Sequence, residues 1–343
     1  MSIFGKPAEP KDIELANIQS DSISAIAWSP VADLLAVASW NNEVRIYEVG
    51  PGGQNQGRAQ YQHEGPVLCV AWSKDGTKVI SGGADNAGRI YDLATGQSSQ
   101  FAAHDAPIKC INWIDMPGQP MVATGSWDKS LRYWNLTSQT PVATVQLPER
   151  CYTMDVAYPL MVVGTAERHI LIFNLTNPTT PHKSIPSPLK MQTRSIACFP
   201  DGTGYSVGSI EGRVAVQHID EAKTASNFSF KCHRADQKGA GFKTGSQSVS
   251  AVNAIAGHPL GTWATAGSDG VINQWDYISR TRLKTWADLG GPITSVSFSH
   301  NGSFMAYAVS YDWSKGHGGN QNQPNKVMIH VCQEDEVKRR PKK

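Results

Sequence analysis

Seven short strand ends recur along this chain and limit its fold more than any other feature: RIYEV, RIYDL, RYWNL, LIFNL, AVQHI, NQWDY and MIHVC. Stacked, they put Tyr47, Tyr91, Trp134, Phe173, Gln217, Trp275 and His330 in one column, with gaps of 44, 43, 39, 44, 58 and 55 residues. A spacing of about 40–45 residues suits a repeating unit of four strands. The two long gaps carry polar insertions, KCHRADQKGAGFKTGSQ (231–247) and YDWSKGHGGNQNQPNK (311–326). Upstream of each end stand two more β-rich runs bounded by Gly, Pro, Asn or Asp, such as CVAWSKDG followed by KVISGG.

Each unit is therefore a small sheet that cannot bury its own faces. Seven of them stacked around an axis bury both faces of every sheet and leave only short edges. The expected fold is all-β, a seven-bladed WD-repeat β-propeller over 21–333, with an extension at 1–20 and a basic run at 334–343. A ring needs its ends latched. The last unit runs out of chain after VMIHVC, so KDIELANIQS (11–20) is expected to supply the outermost strand of the last blade. The terminal KRRPKK (338–343) reads as a disordered basic tail, of a kind that also serves nuclear entry or RNA contact.

Composition removes several function classes. Lys+Arg 31 against Asp+Glu 29 is no wholly basic nucleic-acid binder, though a local basic patch is compatible with it. The opening MSIFGKPAEPK has no apolar core of a secretory signal, and no apolar run reaches membrane-spanning length. The six cysteines form no CxxC pair and sit in apolar runs such as VLCVAW, as reduced buried thiols do. GYSVG (204–208) matches GxSxG, but its serine falls inside a strand rather than on a strand-to-helix turn. No nucleotide-binding or metal-ligand spacing appears, so neither catalysis nor a cofactor or metal is expected.

The turns between second and third strands carry Asn41, Asp85, Asp128, Glu167, Glu211 and Asp269. These are turn-shaping residues. In WD repeats the equivalent Asp braces a His from the preceding loop, and His63 and His104 sit suitably. Two residues further on, the column reads Glu43, Ala87, Ser130, His169, Arg213 and Val271. No structural rule asks for arginine there. Strand parity places Arg213 near the rim of one face, where a guanidinium offers two-pronged bonding to a carboxylate. The plainer reading is a salt bridge to Glu211. Trp40 and Trp127 precede two of these turn residues, and an exposed tryptophan there is either packed on the next blade or an anchor for a partner. Lys129 beside Trp127 suits an acidic partner. Farther along, NFSFKCHR sets Phe228, Phe230 and Cys232 on one side of an edge strand, and ISRTRLK sets Arg280, Arg282 and Lys284 at even spacing. An aromatic pair beside cations suits a mixed apolar–acidic segment or single-stranded RNA, while a solvated edge that blocks aggregation is the rival.

PERCYTMDVAYP (148–159), GTAER (164–168), SIEGRVAV (209–216), FKCHR (230–234), GSDG (267–270) and SYDWSKGH (310–317) together resemble the mRNA export propeller family of the nuclear pore. That resemblance implies a non-enzymatic scaffold. Its partner would be an acidic, hairpin-forming segment of a nucleoporin bearing Gly-Leu-Phe-Gly repeats, held as a monomer within a heterodimer. Single-stranded RNA or an mRNA–protein particle would be a further contact, with no membrane insertion. The location would be the nucleus and nuclear envelope at the pore, with a cytoplasmic pool. It also implies that Arg213 reads glutamates of the segment, reversing the plainer reading. Trp40, Trp127 and Lys129 would grip with Arg213, and Phe228, Phe230, Arg280 and Arg282 would grip elsewhere. The sister propeller of the spindle checkpoint, which binds a similar segment in kinetochore proteins, shares SIEGRVAV and FKCHR. SYDWSKGH resembles the export family better.

Overall fold

The computed structural model describes residues 11–116, 118–237, 243 and 245–340. Residues 1–10, part of the 231–247 insertion and 341–343 of the basic run lie outside them. Seven four-stranded antiparallel sheets follow one another around an axis. Their innermost strands are Ile23–Trp28, Val67–Trp72, Ile108–Ile114, Cys151–Ala157, Thr193–Cys198, Val252–Gly257 and Ile293–Phe298, for blades one to seven. The first strand of blade one packs beside that of blade seven, so the ring is closed. The closing strand is Ile13–Glu14, which pairs with Lys326–Val331 in register Ile13 to Ile329. Blade seven thus takes its outermost strand from the other end of the chain, as expected.

The core lies between the blades rather than inside any one of them. Seven apolar clusters occur, one at each junction. Between blades three and four, for example, Leu131, Tyr133 and Leu147 meet Met161, Leu171 and Phe173. Burying one such side chain contributes roughly 1.5–3 kcal/mol, so each blade depends on both neighbours. The strand-end aromatics Tyr47, Tyr91, Trp134 and Phe173 are all buried for this purpose.

Polar networks brace the outer part of three blades. His104 Nδ1 lies 2.8 Å from Asp128, its Nε2 lies 2.7 Å from Thr124 Oγ1, and the Trp134 indole N–H donates to the same hydroxyl. His63 joins Asp85 and Ser81 in the same way, with the Tyr61 hydroxyl in the indole's place. A third network, His233–Asp269–Thr265–Trp275, was not legible beforehand. Its His and Asp stand 36 positions apart, against 22 and 24 in the other two, because the insertion separates them. That insertion opens with a two-stranded ribbon, Arg234–Asp236 against Gln247–Val249.

The C-terminal run differs from its expected form. Glu334–Val337 is a one-turn helix with a Gln333/Glu336 capping box, and the chain beyond it is docked. Arg339 donates twice to Gly261 O and stands over the Tyr277 ring, and Arg340 donates to Leu283 O. The described part of this run is therefore fastened along blade six, because backbone carbonyls at the blade edge accept from its guanidinium groups.

The two ends of the chain meet at His330. Its Nδ1 lies 2.7 Å from Asp12, beside the closing strand, and its Nε2 lies 2.9 Å from Glu336 of the helix. Glu336 also pairs with Lys284 at 3.2 Å, and Asp12 accepts from the Tyr307 hydroxyl.

Candidate functional site

The turns between second and third strands and the loops between blades share one face, here the upper face. Its centre is a cavity of about 370 Å³ lined by Trp40, Trp127, Trp313, Tyr152, Lys109 and Arg194 among others. Trp40 stacks on Trp313 with ring centroids 3.9 Å apart, so the insertion in blade seven closes over the tip of blade one. Trp127 is 38% exposed at the tip of blade three. Trp40 and Trp127 therefore line the same cavity, whereas Arg213 is not among its lining residues. Lys129 is already ion-paired with Glu149, whose carboxyl its hydrogen bond draws down to about 2.

An irregularity common to all blades shapes this cavity. Every innermost strand carries a β-bulge near its upper end. The extra residue is Ser24, Leu68, Lys109 and Tyr152 in blades one to four, and Arg194, Asn253 and Thr294 in blades five to seven. All seven face the cavity. A bulge re-aims one side chain while the rest of the strand keeps its pairing.

Arg213 opens the third strand of blade five, half-buried on the rim. Its guanidinium lies 3.7 Å from Glu211, so the plainer contact does exist, at long range. What holds this turn was not anticipated. Arg234 donates from Nη2 to Glu211 O (2.6 Å) and from Nε to Gly212 O (3.2 Å), and the Cys232 N–H donates to Gly212 O. Gly212 has φ +59°, and a methyl group there would sit 2.6 Å from Cys232 O. FKCHR thus clamps SIEGRV, a physical reason for the two stretches to occur together. Exposed Ile210 and Met191 flank the same turn.

Phe228–Lys231, the outermost strand of blade five, leads away from it. Arg213 pairs with Lys231, Val214 with Phe230 and Val216 with Phe228. Lys231 to Phe228 spans about 10 Å of extended chain, from the rim down the side of the ring. Phe230 is less available than an edge strand suggests, since it packs against Trp275 (4.7 Å) and Trp263 (5.9 Å) of blade six. Phe228 lies under the Arg280 guanidinium, 4.4 Å from its ring centroid, a cation–π contact. Arg280 and Arg282 are exposed.

Several groups take no part in a site of this kind. Ser206 of GYSVG is buried inside a strand. Among the described residues no group of three or more His, Cys, Asp or Glu is placed to hold a metal, and no helix is long and apolar enough to cross a membrane.

Fold and upper face together define a WD-repeat β-propeller whose upper face opens on a cavity lined by aromatic and basic side chains. Family models agree on the repeat: the Anaphase-promoting complex subunit 4 WD40 domain matches residues 26–116, and the WD domain, G-beta repeat, matches 242–276. Among relatives, a Poly(A)+ RNA export protein of Schizosaccharomyces pombe is 52% identical over 100% of this chain and 99% of its own length. The mRNA export factor GLE2 of Chaetomium thermophilum is 50% identical over 96% and 93%. Protein Rae1 of Drosophila melanogaster is 43% identical over 96% of each chain. The chain belongs to the mRNA export factor family of WD-repeat proteins.

Proposed function

We propose that this chain is a non-enzymatic docking scaffold for mRNA export at the nuclear pore. Its upper face would hold an acidic, hairpin-forming segment of a nucleoporin bearing Gly-Leu-Phe-Gly repeats, in a one-to-one complex. The observation that carries this reading is the clamped turn at Arg213, whose strand pairs with the edge strand Phe228–Lys231, where Phe228 lies under Arg280. Fixing the turn in advance lowers the ordering cost of binding. A carboxylate from the segment would replace the long contact to Glu211 with a two-pronged one. Trp40 and Trp127 would hold apolar residues over the central cavity, and Lys129 would add charge by exchanging its bond to Glu149. Phe228, Phe230, Arg280 and Arg282 would take the part of the segment that descends the side. That side patch also suits single-stranded RNA, through stacking and phosphate contact. The names of the relatives support the export role, and a tagged protein is expected at the nuclear rim in interphase.

The test is recovery of the nucleoporin segment by the purified chain. Arg213→Glu is expected to weaken capture at least about tenfold, since reversing one partner of a close charge pair costs several kcal/mol. Arg213→Lys should lose less. Unchanged recovery with Arg213→Glu overturns the assignment.

A further inference from the structure

The bulge ring has two unlike halves. In blades one, six and seven the bulged side chains stitch neighbours together. Ser24 Oγ donates to Val67 O, Asn253 Nδ2 to Ile293 O and Thr294 Oγ1 to Ile23 O, each on the next blade. In blades three and four they do not, and in blade five the bulged arginine reaches its neighbours only through uncharged acceptors. Neither the Lys109 ammonium nor the Tyr152 hydroxyl has a hydrogen-bond partner among the described residues. Arg194 gives Nε to Asn253 Oδ1 (3.2 Å) and Nη2 to the backbone O of Asp312 (3.3 Å), both neutral acceptors. The Asp312 carboxylate instead accepts from Asn253 Nδ2 and the Ser314 N–H. Burial lowers the Arg194 pKa, and Asp312 offsets this only in part. One wall of the cavity therefore holds two cations and a hydroxyl with too little negative charge to match them. A cation in such a place favours an anion strongly.

We propose that this half-ring is a receptor for one acidic side chain. The carboxylate would descend through the mouth of the cavity, bonding Arg194 Nη1 and the Lys109 ammonium with Tyr152 between them. Trp127 on one side and the stacked Trp40–Trp313 pair on the other would cover its aliphatic stem. This rests on the acidic-segment reading above and deepens it. It gives the segment a second charged anchor, central rather than at the rim, and it gives the two tryptophans a role that contact with Arg213 does not.

Calorimetric titration of the full chain with the recombinant nucleoporin segment tests it. Lys109→Gln and Arg194→Gln are each expected to weaken binding about tenfold, with a shallower dependence on salt. Among the described residues Lys109 has no hydrogen-bond partner to lose, so its variant keeps the test open if Arg194→Gln disturbs Asn253 or fails to fold. Glu→Gln substitution along the segment should reveal one position whose effect disappears in Lys109→Gln but persists in Arg213→Glu. Suppose the wild type binds and Arg213→Glu loses binding, while both cavity variants keep full affinity. Then the receptor is refuted and the docking function stands. A wild type that does not bind the segment removes both.

Discussion

The His330→Gln variant is expected to unfold about 4 °C below the wild type at about pH 6, and to close most of that gap by about pH 10. Burial by itself lowers the His330 pKa. The bonds to Asp12 and Glu336 outweigh it and carry the group up to about 9. Its folded pKa is therefore above its unfolded value of about 6.5. A group raised in this sense contributes its full stability below the unfolded value and loses it as pH climbs through the folded one. The window is about pH 6.5 to 9, and the amount at stake is about 3 kcal/mol. Glutamine keeps a donor between the two carboxylates but not the charge. Thermal melting across that window checks both the gap and its closure. A wild type whose midpoint is flat from about pH 6 to 9 would show that the junction of the two ends does not depend on this proton.

A second large effect is expected at Gly212. Alanine there would meet three carbonyl oxygens, those of Cys232, His233 and Ser250, at 2.6, 3.0 and 3.1 Å, on a backbone already at φ +59°. Backbone atoms cannot swing aside as a side chain can. Gly212→Ala should cost about 3 kcal/mol, or about 4 °C in the melting midpoint. It should also weaken segment binding although Arg213 is untouched, because the turn would leave the Arg234 clamp. Gly96→Ala is the matched control. Its φ is +69°, but a methyl group there meets only the Tyr91 hydroxyl at 3.8 Å. It should cost about 1 kcal/mol. Equal losses for the two would mean that backbone conformation, not crowding at the clamp, is what matters.

How much of this was legible in the sequence varies with the range of the contact. The column from Tyr47 to His330 was readable because strand periodicity is local and repeats. The closing strand was readable from a shortage, since the last unit has only three strands of its own. The bulges were hidden because all seven innermost strands share them. A common insertion leaves the repeat spacing unchanged, so Lys109 and Arg194 look like ordinary members of an alternating strand. Phe230 looked like an exposed edge residue, and only the packing of blade six against it shows otherwise. Arg339 and Arg340 were read as charge, and Arg234 only as part of a polar insertion and of FKCHR. Their structural partners are backbone carbonyls, which no residue type announces.

Asp12 and His330 stand 318 positions apart. A ribosome adding about 5–20 residues per second needs tens of seconds between them. Throughout that interval the nascent chain is an open crescent with raw apolar flanks, and no amount of local folding can seal it. A premature stop in blade seven should therefore give insoluble protein rather than a weaker version of the scaffold. Chaperone demand should peak late in translation, just before the two ends first meet.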